Sequence, residues 1–341
     1  MSRIVGPETI AEAAACLRAG GVVAFPTETV YGLGADALNV EAVRRVFAIK
    51  GRPADHPLIV HLASAESIAD WAVRVPDAAW ELSRAFWPGP LTLVLPRRPH
   101  VPDAVTGGQE SVALRVPAHP LARELITAAG ALVAPSANRF GRVSPTTAAH
   151  VAEELGEAVD LILDGGPCAV GVESTIVSLL SDTPVLLRPG RITPEQLEGV
   201  LHCPVARRGA GVRAPGLLPA HYAPSTPIEL VESIQLDARA ASLAAAGLRV
   251  AVLERGGAAA LPPGGERVAM PPAPGEYARA LYATLRTCDR QGFDRLLVEL
   301  PPVTSDWLAV HDRLTRAARA FGALHGGPSD FRAMADRGPR A

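Results

Sequence analysis

Four polar stretches of the sequence carry residue types that bind and orient anionic substrates. They read PTETVYGLG at 26–34, KGRPADHPL at 50–58, PSANRFGRVSP at 135–145, and VESTIVS at 172–178 with RPGR at 188–191. Neutral hydrogen-bonding side chains in them are Thr27, Thr29, Ser136, Asn138, Ser144, Ser174 and Thr175, and the accompanying cations are Lys50, Arg52, Arg115 and Arg188. Cations neutralise phosphates, while hydroxyls and backbone N–H groups satisfy the remaining lone pairs. The inventory predicts a nucleotide site.

Lys50 is the only lysine among 33 basic residues. A compact, mobile ammonium suits a phosphate contact, whereas a planar arginine fork suits a carboxylate or a stacked position. The alternative interpretation is a lysine on the solvated end of a helix. Arg52, two residues further on, favours the anion site.

The sequence has no Ser-His-Asp arrangement, no HExxH motif and no paired catalytic carboxylates. We therefore expect chemistry by positioning and charge neutralisation, as in reactions at phosphorus. Each feature also has a purely structural interpretation. PTETVYGLG can be a turn before a helix and PSAN an Asx-type turn. His61 can be a satisfied core histidine, and Glu28 and Glu173 can be solvated.

One strand–loop–helix–strand unit positions the first two polar stretches. The apolar run Val22–Phe25 predicts a buried strand that leads into PTETVYGLG as a loop. Asn39 then caps a helix that ends at Gly51. A second strand at Leu58–Leu62 carries His61. Polar groups thus gather at element ends, where α/β proteins keep their ligand sites.

The other elements predicted up to residue 201 also alternate between helix and strand. The helices are Pro7–Ala19, Glu66–Val73, Asp77–Phe86, Leu121–Ala129, Thr147–Leu155 and Thr193–Leu201. The strands are Leu91–Leu95, Ser111–Val116, Ala131–Ala134 and Leu161–Leu163, with a hairpin of Glu173–Leu180 and Val185–Arg188. We therefore predict an α/β domain over residues 1–201.

Residues 202–227 are rich in proline and glycine and are predicted to be a linker, with a possible role as an active-site lid. Residues 228–325 are predicted to form a small Rossmann-like α/β domain with a parallel sheet, because strands alternate with helices. Its predicted strands are Ile228–Val231, Arg249–Leu253, Arg267–Met270 and Arg295–Leu300, and its helices are Ala238–Ala246, Glu276–Arg290 and Asp306–Phe321. The sequence suggests no catalytic role for this domain. The tail at 326–341 is predicted to be disordered.

Composition and charge limit the classes of function. The chain has 341 residues, 48% of them hydrophobic, and a net charge of −2. Residues 1–205 hold 16 basic and 22 acidic residues, a net charge of −6. A local anion pocket fits this balance better than a broad nucleic-acid surface. No apolar run reaches the roughly 18 residues of a membrane span. We therefore expect no membrane association. The four cysteines have no CxxC spacing, so we expect a reducing cytoplasm.

Five motifs in order resemble the YrdC-like family: PTETVYGLG, KGRPADHPLIVH, LRVPAHP, APSANRFGRVSPT and ESTIV with LLRPGR. The resemblance covers about residues 5–200 and implies a twisted mixed sheet with helices. The linker ending in HYAP and the small second domain resemble the long, two-domain form of the family. These enzymes are nucleotidyltransferases that make L-threonylcarbamoyladenylate from L-threonine, bicarbonate and ATP and release pyrophosphate. Magnesium is the implied metal, carried by ATP, with no protein side chain assigned to it.

The resemblance also implies site residues. ATP would contact Lys50, Arg52, His56, Ser111, Ser136, Asn138, Ser144, Arg188 and Tyr222, with Lys50 and Arg52 in the catalytic role. L-threonine would contact Thr29, His61, Arg115, Ala134 and Ser174. The implied downstream partner is the tRNA threonylcarbamoyl transferase machinery, and direct tRNA binding stays open.

Two departures from the family pattern concern the nucleotide. His56 stands where the family usually has asparagine, and a histidine can still donate a hydrogen bond to a phosphate. The linker reads GLLPAHYAP where the family usually has a Met-x-Tyr type of sequence before HYAP. Tyr222 remains, so a lid that contacts nucleotide is still expected.

Two other functions stay open on the sequence. One is carbamoyl transfer to another acceptor, although proteins with that activity carry further metal-binding modules that the four cysteines do not support. The other is a non-catalytic binder of double-stranded RNA, which the net charge of −6 over residues 1–205 disfavours.

Overall fold

The computed structural model of the protein describes residues 3–207, 212–256 and 265–322. Within these residues the first sheet has ten strands. They are β1 (Ile4–Val5), β2 (Val23–Phe25), β3 (Gly32–Asp36), β4 (Ile59–His61), β5 (Leu91–Pro96), β6 (Ser111–Arg115), β7 (Leu132–Val133), β8 (Leu161–Leu163), β9 (Thr175–Ser178) and β10 (Val185–Arg188). The spatial order is β1-β8-β2-β3-β7-β4-β6-β5-β9-β10. The sheet combines parallel pairs such as β4 with β6 and antiparallel pairs such as β5 with β6, so the predicted mixed α/β sheet is confirmed.

Eight helices accompany this sheet in the described residues. They are α1 (Ile10–Arg18), α2 (Val40–Lys50), α3 (Ile68–Trp71), α4 (Asp77–Phe86), α5 (Asp103–Thr106), α6 (Pro120–Ala129), α7 (Ala148–Leu155) and α8 (Pro194–Leu201). Both predicted ends of α2 are confirmed. The Asn39 side chain accepts from the Ala42 N–H at 3.1 Å, and Gly51 adopts the left-handed φ of 62° that glycine tolerates at a helix end.

The prediction that all of PTETVYGLG is a loop was wrong. Its last three residues begin β3, which pairs antiparallel with β2. The turn is confined to the threonines, where Thr27 Oγ1 accepts from the Val30 N–H at 3.2 Å. Glycine is needed in β3 because a Cβ on Gly34 would lie 2.6 Å from Cε1 of Phe25 on β2. The glycines that suggested a turn therefore permit close strand pairing.

Two of the helices predicted up to residue 201 begin with a 3₁₀ turn. Pro7–Thr9 precedes α1, and Ala65–Ser67 precedes α3, which ends at Trp71. Smaller shifts of one or two residues at other element ends are usual for such boundaries.

The second sheet contains β11 (Ile228–Val231), β12 (Val250–Arg255), β13 (Gly265–Met270) and β14 (Arg295–Glu299), in the order β11-β14-β12-β13. All of its pairings are parallel, as predicted. The accompanying helices are α9 (Leu236–Ala245), α10 (Pro274–Gln291) and α11 (Leu308–Arg319). The tail predicted at 326–341 lies outside the described residues.

The second domain and the polar loops of the first share one hydrophobic core. Val30, Val143 and Val172 come from three of the four polar stretches and are buried in the same cluster as Tyr277 and Leu281 of α10. The backbones also touch. A Cβ on Gly171, whose φ is +83°, would lie 2.4 Å from the Cα of Arg279. The second domain therefore packs directly against the loops that carry the predicted site.

The described residues contain neither a membrane-spanning helix nor a disulfide. None of their helices combines the length and apolar character that a membrane crossing requires. The thiols of Cys16, Cys168, Cys203 and Cys288 are all unpaired.

Candidate active site

A small cavity lies where the four polar stretches and the linker meet. Its volume is about 50 Å³, which holds only a few water molecules because each needs about 10–15 Å³. Nine of the predicted site residues line it, namely Thr29, Arg52, His61, Arg115, Ala134, Ser136, Ser174, Arg188 and Tyr222. The set includes all five residues predicted for threonine.

Arg115, at the end of β6, is held in one orientation from two sides. Its Nη2 donates to Glu28 Oε1 at 2.6 Å, and its Nε donates to the Gly89 carbonyl at 3.2 Å. Glu28 Oε2 in turn accepts from the Ala118 N–H at 3.0 Å. Nη1 has no hydrogen bond within the described residues, and Arg115 lines the cavity. This nitrogen is therefore available to an anionic ligand.

His61 lines the cavity from β4 as a neutral imidazole. Burial, and next the charge of Arg115, lower its pKa to about 3. Its Nδ1 lies 3.2 Å from the Ile59 carbonyl, which can only accept, so Nδ1 carries the proton. Nε2 is then an acceptor for a ligand N–H or O–H.

Lys50 is not on a solvated helix end, which was the alternative interpretation of this residue. It is 2% exposed, and its Nζ donates to the carbonyls of Ser136 and Asn138 at 2.5 and 2.6 Å. Burial, and next the charge of Arg52, lower its pKa well below the ordinary value. Lys50 does not line the cavity directly. It fixes the PSAN loop that does.

Arg52 and Arg188 present guanidinium groups to the cavity. Arg52 Nη2 donates to the Pro57 carbonyl at 2.9 Å, while its buried Nε has no partner within the described residues. Arg188 donates to the carbonyl and the hydroxyl of Ser174 at 3.0 and 3.1 Å. Its Nη1 donates to the carbonyl of Pro215 in the linker at 3.1 Å.

The linker covers the cavity. Pro215, Gly216, His221 and Tyr222 all line it, and the Ala223 N–H donates to the Gly141 carbonyl of the PSANRFG stretch at 2.9 Å. Tyr222 is 1% exposed, has a left-handed φ of 61°, and its hydroxyl has no partner within the described residues. A tyrosine in this region is strained by about 1–2 kcal/mol, so its surroundings must hold it there.

Five predicted ATP residues do not line the cavity: Lys50, His56, Ser111, Asn138 and Ser144. His56 packs edge-on against Phe140 at 5.4 Å between ring centroids. Ser111 lies in β6 opposite Pro96. Asn138 Nδ2 donates to the Arg139 and Arg142 carbonyls. Ser144 Oγ donates to Glu173 Oε1 at 2.5 Å.

The interpretation of Glu28 and Glu173 as solvated residues was wrong. They are 8% and 6% exposed. Burial alone would raise the pKa of Glu173, but Arg313, Arg188 and the Ser144 hydrogen bond lower it to about 2. Arg313 comes from the second domain, in which the sequence pattern indicated no functional residue. The one sequence signal for their burial was that both glutamates stand next to threonine or serine residues of the polar stretches.

Protein stability should fall as pH falls below about 6.5. Burial lowers the folded-state pKa of both His61 and His221 to about 3, so below 6.5 the unfolded chain binds protons that the folded chain does not. Each histidine should then cost up to about 1.4 kcal/mol of unfolding free energy per pH unit. Urea unfolding at pH 7.5, 6.5 and 5.5 measures this slope. Burial also lowers the pKa of His150 to about 4 and lowers that of three further histidines in the described residues. His61→Gln should therefore reduce the slope by about one third or less, and an unfolding free energy that stays constant over this range would contradict the prediction.

Comparisons with known proteins cover nearly the whole chain. Residues 15–190 match the family described as "Telomere recombination", and residues 192–319 match "Threonylcarbamoyl-AMP synthase, C-terminal domain". A threonylcarbamoyl-AMP synthase of Pyrococcus abyssi is 43% identical over 90% of this chain and 93% of its own length. One from Bacillus subtilis is 43% identical over 91% of this chain and 92% of its own length.

A solved structure agrees with the sequence comparisons. A P. abyssi protein crystallised with L-threonine superimposes with a TM-score of 0.87 at 40% identity, covering 94% of this chain and 98% of that protein. Matches of this identity and coverage in both domains decide the family. The chain belongs to the threonylcarbamoyl-AMP synthase family of enzymes, in its two-domain form.

Proposed function

We propose that the protein makes L-threonylcarbamoyladenylate from L-threonine, bicarbonate and ATP and releases pyrophosphate. The observation that carries the proposal is that Arg115, His61 and Ser174 line the same cavity as Arg52 and Arg188. The P. abyssi relative crystallised with L-threonine supports the choice of amino acid.

Arg115 binds the threonine carboxylate in this proposal. A guanidinium forms strong, charge-assisted hydrogen bonds with a carboxylate, and Glu28 already holds the Arg115 fork in place. His61 Nε2 and the Thr29 hydroxyl supply acceptors for the substrate ammonium and hydroxyl. These positions are fixed before the substrate arrives, which lowers the entropy lost on binding.

The reaction joins two anions, so charge neutralisation is the main task of the site. The threonine ammonium first gives one proton to solvent. The neutral amine nitrogen then bonds to the carbon of bicarbonate, the C–OH bond breaks, and the hydroxide takes a second proton from the nitrogen and leaves as water. A carbamate oxygen then attacks the α-phosphorus of ATP, the bond to the bridging oxygen breaks, and pyrophosphate departs. Arg52 and Arg188 offset the charge that accumulates. An incoming phosphate also favours the charged form of Lys50 and so opposes the effect of its burial.

Magnesium enters this proposal together with ATP. The described residues contain no group of three or more His, Cys, Asp or Glu side chains placed to hold a metal ion. Phosphate oxygens of ATP and water molecules would therefore coordinate the Mg²⁺ ion, as is common for Mg²⁺ bound with nucleotides.

The linker must move to admit ATP. The cavity is far too small for a nucleotide, and the Pro215 carbonyl occupies Nη1 of Arg188. We propose that the described linker residues 212–227 act as a lid that opens for ATP and then closes. Closure would protect a reactive mixed anhydride from water. The strained backbone of Tyr222 suits a segment that has a second conformation.

Tyr222→Phe tests whether the lid contacts the nucleotide. The hydroxyl has no partner within the described residues, so its removal should leave the melting temperature nearly unchanged. If the hydroxyl contacts bound ATP, binding should weaken by about 0.5–1.5 kcal/mol, the usual net contribution of one hydrogen bond. Calorimetric titration with Mg-ATP measures the change. An unchanged affinity for Mg-ATP would show that the Tyr222 hydroxyl does not contact the nucleotide.

Pyrophosphate release tests the reaction itself. The purified protein should release pyrophosphate from ATP only when L-threonine and bicarbonate are both present. Release without threonine would instead favour carbamoyl transfer to another acceptor. No release, combined with salt-sensitive binding of double-stranded RNA, would favour the RNA binder. The product would serve threonylcarbamoylation of tRNA in the cytoplasm.

A further inference from the structure

Glu173 is the one carboxylate that lines the cavity within the described part of the chain. It directly precedes Ser174, and its negative charge lies among cations that the proposed reaction needs. Arg188 is close enough to contribute to the low pKa of Glu173. A buried carboxylate beside a phosphate-binding arginine would compete with ATP for that arginine unless another group bound it first.

The second domain supplies the groups that bind Glu173. Arg313 Nε of α11 donates to Glu173 Oε2 at 2.6 Å, and the Tyr282 hydroxyl of α10 donates to the same oxygen at 3.0 Å. Arg313 and Tyr282 are 1% and 0% exposed. Water is therefore excluded from this contact, and low local polarity strengthens it.

Arg313 also contacts the two segments on either side of Glu173. Its Nη1 donates to the carbonyl of Pro189, the residue after Arg188, at 3.1 Å. Its guanidinium lies 4.9 Å from the ring centroid of Tyr222 in the linker, a cation–π distance. One side chain thus joins the start of β9, the end of β10 and the proposed lid.

We propose that Arg313 is a positioning residue of the active site, which binds Glu173 and Pro189 so that Arg188 remains available to the nucleotide. The inference rests on the proposed function for the identity of the nucleotide. It gives the second domain a direct role in ATP binding, in addition to anchoring the linker.

The test is a double-mutant cycle on ATP binding. Arg313→Gln leaves Glu173 without its main partner, so Glu173 should turn to Arg188 and the Kd for Mg-ATP should rise at least tenfold. The double variant with Glu173→Gln removes the competing charge and should return the Kd to within about threefold of the parent protein. Arg313→Lys keeps a charge but not the fork, and should fall between these values.

Arg290→Gln provides the matched control. Arg290 also joins the two domains, through an ion pair with Glu153 at 3.3 Å. Its side chain is half exposed and forms no ion pair with Glu173 within the described residues. It should leave the Kd for Mg-ATP within about twofold of the parent value. Melting temperatures of all variants separate loss of folding from loss of binding.

Two results would overturn the inference. One is an unchanged Kd in folded Arg313→Gln, and the other is a double variant that binds ATP no better than Arg313→Gln. Calorimetric measurement of ATP binding needs no turnover, so a failure of the proposed reaction can be distinguished from a failure of the Arg313 inference. A parent protein that binds ATP but releases no pyrophosphate would refute the reaction and leave the Arg313 result standing.

Discussion

Lys50→Met is expected to lower the rate of pyrophosphate release about 100- to 1,000-fold, the range for losing one electrostatic group in an active site. Methionine keeps the apolar stem and removes only the ammonium, so packing in the last turn of α2 is largely preserved. The variant loses a cation beside the anion site. It also leaves the carbonyls of Ser136 and Asn138 without their donor, so the PSAN loop loses its fixed position. Initial rates at saturating substrates measure the effect.

Arg44→Ala is the control for this prediction. Arg44 lies on the same helix, but its side chain is 66% exposed and pairs only with Glu41. It should leave the rate within about twofold of the parent, since exposed pairs contribute little. If folded Lys50→Met kept near-normal activity, neither the ammonium nor its hydrogen bonds to the PSAN loop would be needed for the reaction.

Arg115→Ala is expected to raise the threonine concentration needed for half-maximal rate roughly 10- to 150-fold. This range corresponds to the loss of about 1.5–3 kcal/mol for a hydrogen bond to a charged group. The requirement for ATP should change less than threefold, because the hydrogen bonds of Arg115 go to Glu28 and Gly89 and to none of the predicted nucleotide residues. Separate titrations of threonine and ATP in the pyrophosphate assay measure both.

Two further variants separate charge from geometry at this position. Arg115→Lys keeps the charge but loses the fork, so most of the effect on threonine should remain. Glu28→Gln keeps Arg115 and weakens only its support, so we expect a smaller rise in the threonine requirement. An equal rise for threonine and ATP in Arg115→Ala would mean that the residue supports the whole site and does not select the amino acid.

Local sequence signals predicted most of the elements but not β1 or α5. The Asn39 cap, the end of α2 at Gly51 and the parallel pattern of the second domain follow from signals within a few residues. The nine lining residues that were predicted lie in short motifs next to strand ends, so their neighbourhood in sequence already reflects their neighbourhood in space.

The start of β3 shows where local signals fail. Glycine near hydroxyl residues predicts a turn, yet Gly32 and Gly34 belong to a strand that pairs with β2. Glycine is needed at position 34 because the ring of Phe25 on β2 leaves no room for a Cβ there. Pairing with β2 determines that these residues form a strand, and the turn propensity of a short stretch takes no account of a pairing partner.

Burial and charge pairing were decided by the tertiary structure alone. The sequence determined that Lys50 stands at the end of a helix, but the PSAN carbonyls 86 and 88 residues away determine that it is buried. Glu173 and Arg313 are 140 residues apart and belong to different domains. No periodicity or motif links them, because an ion pair across a domain interface depends on how two separately folded surfaces meet. The sequence by itself thus identified the family, and the packing of the second domain determined which buried charges of the polar stretches are paired.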